Sequence, residues 1–67
     1  MNTFTSEEAS LATILLLGRL FEALNKSGAL PQNDASVAIR AAITQANGTG
    51  NPGAARVLDH YFHQWTV

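Results

Sequence analysis

The stretch Leu11–Leu24, LATILLLGRLFEAL, holds the densest run of large apolar residues in the chain. Left in water it would forfeit the main favourable term of folding, so something must cover it. Its apolar residues recur at helical spacing, which reads it as the central helix of a small all-helical protein against which the later segments pack.

The residues on either side mark where this helix begins and ends. Thr5 followed three residues later by Glu8 has capping-box spacing, and Glu7 and Glu8 suit the positive end of a helix dipole. Lys26 suits the other end, and Gly28 supplies the left-handed residue that stops many helices. Helix 1 therefore spans about 6–26. The short connector Gly28-Ala29-Leu30-Pro31 turns the next helix back antiparallel. Helix 2 runs over about 34–47, capped by Asp34 and closed by Asn47 and Gly48. The stretch NGTGNPG, 47–53, reads as a flexible loop, after which Asn51 caps a helix with Pro52 at its first position. Helix 3 spans about 52–65. The expected fold is all-α and single-domain: a small three-helix bundle, with helices 1 and 2 an antiparallel hairpin and helix 3 packed across them.

Helical wheels assign the faces. At about 100° per residue, Ala9, Ala12, Leu16, Leu17, Leu20, Ala23 and Leu24 form one broad apolar face of helix 1, extended by Phe21 and Ile14. This face is expected to be core. Leu11 and Leu15 lie outside it, beside Glu8, Arg19, Glu22 and Lys26, where a lone bundle meets solvent. Helix 2 carries mostly small residues, Ala35, Ala38, Ile39, Ala42, Ile43 and Ala46, and reads as a lining helix. In helix 3, Ala54, Ala55, Val57, Leu58, Tyr61, Phe62 and Trp65 oppose Arg56, Asp59, His60, His63 and Gln64, so its aromatics are expected to close the core.

Length and composition bear on function. A 67-residue chain buries only about 60% of the surface its unfolded form exposes, so it is marginally stable alone. Small domains gain stability from disulfides, metals or association, and the chain has no cysteine. Association is the expected remedy, and a reducing, cytoplasmic setting the expected location. Four basic residues, Arg19, Lys26, Arg40 and Arg56, face five acidic ones with no basic stripe, which disfavours nucleic acid. The residues before the apolar run include Glu7 and Glu8 and no Lys or Arg, the wrong sign for a signal peptide, and the run is too short and interrupted to span a bilayer.

Candidate chemistry is sparse. Asp59, His60 and His63 share part of one helix face, but zinc needs three or four ligands in tetrahedral geometry, and a solvated polar face is the expected reading. No serine or threonine sits in a nucleophile motif with a base and an orienting group. The glycines from Gly48 to Gly53 lack the preceding strand and the lysine of a phosphate loop. No catalytic, cofactor-binding or metal-ligating residue is therefore assigned, and the chain reads as a non-enzyme that requires no cofactor.

The expected function is a small protein–protein interaction module, acting as subunit, adaptor or inhibitor, that self-associates or docks through helix 1. Its partner is a second copy, forming a homodimer, or a larger protein. Leu11 and Leu15 project one turn apart, yet four leucines from two chains supply roughly 6–12 kcal/mol gross against an association cost of about 4–15 kcal/mol. The expected interface therefore also takes in Ile14, Gly18 and Phe21. The alternative is a small oligomeric regulator that contacts nucleic acid.

Overall fold

The computed structural model describes residues 3–67, which form α1 (Ser6–Lys26), α2 (Gln32–Gly48), α3 (Pro52–Phe62) and a closing 3-10 turn (His63–Trp65). The capping box at Thr5 is complete: the Glu8 N–H donates to Thr5 Oγ1 at 3.0 Å, and the Thr5 N–H donates to Glu8 Oε1 at 2.9 Å. Hydrogen bonds to the Thr5 backbone and then to its side chain hold the Glu8 carboxyl below the usual carboxylate value. The charged form therefore supports the cap fully above the ordinary carboxylate range, and that support is lost as pH falls through the folded-state value. At the far end Gly28 adopts φ 83° and its N–H donates to the Asn25 carbonyl at 3.1 Å. The connector is further tied by Leu30 N–H to the Leu24 carbonyl at 3.0 Å and by Asn25 Nδ2 to the Leu30 carbonyl at 3.0 Å.

The boundaries of α2 differ from those expected. It starts at Gln32 with Pro31 in the cap position, so Asp34 lies in the first turn and serves the helix dipole instead of capping. It ends later too, at Gly48. Gly50 at φ 79° donates to the Asn47 carbonyl at 3.2 Å, and Asn51 N–H donates to the Ala46 carbonyl at 2.8 Å, a Schellman pattern. The stretch expected to bend freely is thus largely helix followed by a hydrogen-bonded turn. Pro52 opens α3 as expected, but the Asn51 side chain makes no capping bond; its Nδ2 donates to Thr49 Oγ1 at 3.2 Å.

The fold is an all-α three-helix bundle, and its closest packing is between α2 and α3. Gln32, at the start of α2, donates through Nε2 to the Trp65 carbonyl at 3.1 Å, and Arg40 donates to the Thr66 carbonyl. These two bonds fasten the end of the chain along α2. The core consists of Ala35 and Ile39 from α2 with Phe62 and Trp65, and Ile14, Phe21, Leu30, Ile43 and Leu58 pack around it. Ala35 is wholly buried: its small side chain lets the aromatic rings come close to the α2 backbone. α2 therefore contributes half of the buried cluster, a larger share than a lining helix.

The role of α1 is also corrected. It buries no residue fully, so the most apolar segment lies at the edge of the bundle and not at its centre. Leu16 is 71% exposed and Leu20 51%, and Leu17, Leu24, Ala9, Ala12 and Ala23 are exposed as well. The side facing the bundle is that of Ile14, Gly18, Phe21, Glu22 and Asn25, all half-buried. Ring geometry accounts for the rotation. Phe21 lies 5.9 Å from Phe62 and 6.0 Å from Trp65 between ring centroids, the latter edge-on. Such pairs add about 0.5–1.5 kcal/mol each beyond the area they bury.

Trp65 is buried as expected, yet among the described residues its Nε1 is the buried side-chain polar atom with no hydrogen-bond partner. Its stabilising role is therefore apolar. Trp65→Ala is expected to cost about 3–5 kcal/mol in urea unfolding. Trp65→Phe is expected to cost much less, because it also removes an unpaired donor whose burial costs about 1–3 kcal/mol. Equal losses for the two variants would show that the indole N–H is paired in solution.

Candidate docking surface

The charges on α1 are confined to one side of it. Taken at 100° per residue, Glu7, Glu8, Arg19, Glu22 and Lys26 fall within a sector of about 120°. An adjoining sector of about 140° carries none and holds Ala9, Ala12, Thr13, Leu16, Leu17, Leu20, Ala23 and Leu24. Every one of these eight residues is exposed. Thr13 Oγ1 donates to the Ala9 carbonyl at 2.9 Å, so its hydroxyl is satisfied within the helix and the surface there is in effect apolar.

One edge of this sector runs into a groove. Leu17 and Phe21 form one wall, Ala38, Ile39 and Ala42 of α2 the other, and Leu58 and Phe62 of α3 complete the lining. No side chain in the lining is polar. The small side chains of Ala38 and Ala42 leave this space open between α1 and α2. A second depression lies on the other side of α1, lined by Ile14, Leu15, Gly18, Arg19, Glu22, Tyr61, Phe62 and Gln64. It is mixed in character, and Arg19 Nη1 and Glu22 Oε1 form an exposed pair there at 3.5 Å. Exposed pairs of this kind contribute little.

The five residues expected at an interface separate into two groups. Leu11 and Leu15 are exposed on the charged flank, whereas Ile14, Gly18 and Phe21 are half-buried against the bundle. A Cβ built on Gly18 would sit 3.9 Å from the Phe62 ring, an ordinary contact distance, so this position faces α3 within one chain and has room for a methyl group. Sequence reasoning missed Leu16, Leu20 and Leu24 as open surface, and Ala38 and Ala42 as groove. The signal available for the leucines was the missing charge: a helix face meant for water carries polar residues, and this one has only Thr13 and, at its first residue, Ser6.

The polar side of α3 offers no comparable site. His63 Nδ1 lies 3.7 Å from Asp59 Oδ1, with both side chains mostly exposed, and the His60 ring meets Tyr61 edge-on at 4.8 Å. Among the described residues no three His, Cys, Asp or Glu side chains gather closely enough to hold a metal ion, and no helix is long and apolar enough to cross a membrane. Comparison with protein-family models, curated proteins and solved structures finds no match to the chain.

Gly18 tests the orientation of α1. Gly18→Ala is expected to raise stability by about 0.5–1 kcal/mol, since alanine favours helix and its methyl fits at ordinary contact distance from Phe62. Gly18→Leu is expected to destabilise by prying α1 from α3. Urea midpoints check both, and a neutral Gly18→Leu would place that position away from α3.

Proposed function

We propose that the protein is a small helical protein–protein interaction module that acts by binding and not by catalysis. It docks through the outer face of α1. One observation carries this reading: an exposed, uncharged leucine face that continues into a groove with an apolar lining. Exposed apolar patches of this continuity mark interaction sites on soluble proteins. Burying a fully exposed leucine is worth about 1.5–3 kcal/mol, and Leu16, Leu17, Leu20 and Leu24 are already partly covered, so together they supply roughly 3–6 kcal/mol gross. The cost of association is about 4–15 kcal/mol, so a lasting complex needs the groove as well as the ridge.

The same surface chemistry favours a protein partner over a nucleic acid. Phosphate neutralisation needs clustered Lys and Arg, and this face has neither. The lack of cysteine agrees with a cytoplasmic setting, where disulfides are rare. Roles as subunit, adaptor or inhibitor all follow from one such face.

Position-specific photo-crosslinking in the native cell tests the reading. A photoreactive residue in place of Leu20 is expected to give a discrete protein adduct, and one in place of Arg56, on the exposed side of α3, none. Equal yields from the two positions, or none from either, would contradict docking through α1.

A further inference from the structure

We infer that the occupant of this face is a second copy of the chain, forming a two-fold dimer in which the two α1 helices cross antiparallel. The inference rests on the docking-face reading and adds the identity of the partner and its orientation.

The surface area supports a partner of this size. The chain exposes 5037 Å². A compact protein of 7.1 kDa exposes about 4,100 Å², so this one carries about 900 Å² in excess. A standard stable interface buries about 800 Å² on each partner. The dimensions agree: the radius of gyration is 13.2 Å, against about 11 Å for a compact chain of this length, and the extents are 38 × 30 × 15 Å. The molecule is a slab one to two helices thick. Two slabs laid face to face give the proportions of an ordinary globule.

Self-complementarity identifies the occupant. A two-fold interface requires one surface to carry both the projecting part and the part that receives it. Here the leucines of the ridge Leu16, Leu20 and Leu24 project about one turn apart with gaps between them, so two antiparallel copies can interdigitate ridge on ridge, and their grooves between Leu17 and Ala38 come together beside that seam. Charge sets the direction. Glu7 and Glu8 lie at the start of α1 and Lys26 at its end. Antiparallel crossing brings each acidic end beside a basic one, whereas parallel crossing would stack like charges and align the helix dipoles unfavourably. Antiparallel pairing also sorts by size, setting Leu16 against Leu20 of the second copy at the centre and Thr13 against its Ala23 further out.

Sedimentation of the purified protein from low to high micromolar concentration is expected to give twice the chain mass. Replacing Leu16 and Leu20 together by Glu is expected to give a monomer that keeps its helical circular dichroism, and replacing Leu11 and Leu15 by Glu is expected to leave the dimer intact. Single-cysteine variants read the orientation whether or not the Glu variants fold, because the natural chain has no cysteine. Leu17→Cys, near the two-fold axis, is expected to form a disulfide-linked dimer in air, and Thr13→Cys is not. A monomeric wild type, a dimer dissolved by the Leu11 and Leu15 pair alone, or cross-linking through Thr13→Cys in place of Leu17→Cys would overturn the inference. A monomeric wild type that still gives a photo-adduct with a different protein from position 20 would overturn only the self-association, leaving the docking face in place.

Discussion

The contact of Phe21 with Phe62 and Trp65 governs the rest of the structure. It joins α1 to the end of the chain, about 40 residues away in sequence, and it sets the rotation of α1 about its axis. With Phe21 turned inward, Gly18 comes to lie over Phe62 and Ile14 joins the margin of the core. The same rotation turns Leu16, Leu20 and Leu24 to solvent. The core and the exposed leucine face are two consequences of one packing choice.

That choice suits a chain too short to bury all its apolar residues. A domain of this length has a poor ratio of volume to surface. Ala35 and Ile39 allow α2 to lie close against Phe62 and Trp65, and Gln32 and Arg40 hold the carbonyls that follow. This pairing uses the space at the centre and leaves α1 attached along a single seam. Among the large apolar residues left outside, Leu16, Leu17, Leu20 and Leu24 adjoin one another on one uncharged face, whereas Phe4, Val37, Val57 and Tyr61 lie elsewhere on the surface; a contiguous patch is the arrangement a partner can use.

The ends of the helices were legible in the sequence because capping chemistry is local. Thr5 and Glu8 satisfy each other across three residues, and Gly28 and Pro52 act within one turn of their own positions. The burial of Phe62 and Trp65 was legible from the two-sided pattern of the last segment, although Ala54, Val57 and Tyr61, expected on the same side, remain exposed. The rotation of α1 was not. Its apolar residues extend over most of its circumference, so counting them favours the face with the most leucines, whereas packing selected the face with one phenylalanine and one glycine. Shape matching to Phe62 and Trp65 is information held elsewhere in the chain. The position of Asp34 was misread because Pro31 lets the helix begin two residues sooner, with the acid placed in its first turn.

The orientation of α1 decides which of its residues are core and which are surface, and nuclear Overhauser contacts between side chains read it directly. In a sample mixing labelled and unlabelled chains, so that contacts within one chain are separated from contacts between chains, the Phe21 ring is expected to show intrachain contacts to the rings of Phe62 and Trp65. The Leu16 and Leu20 methyl groups are expected to show none to those rings within the chain. Intrachain contacts from Leu16 or Leu20 to Phe62 or Trp65, with Phe21 lacking them, would mean that α1 is turned the other way, and the leucine face proposed for docking would be core.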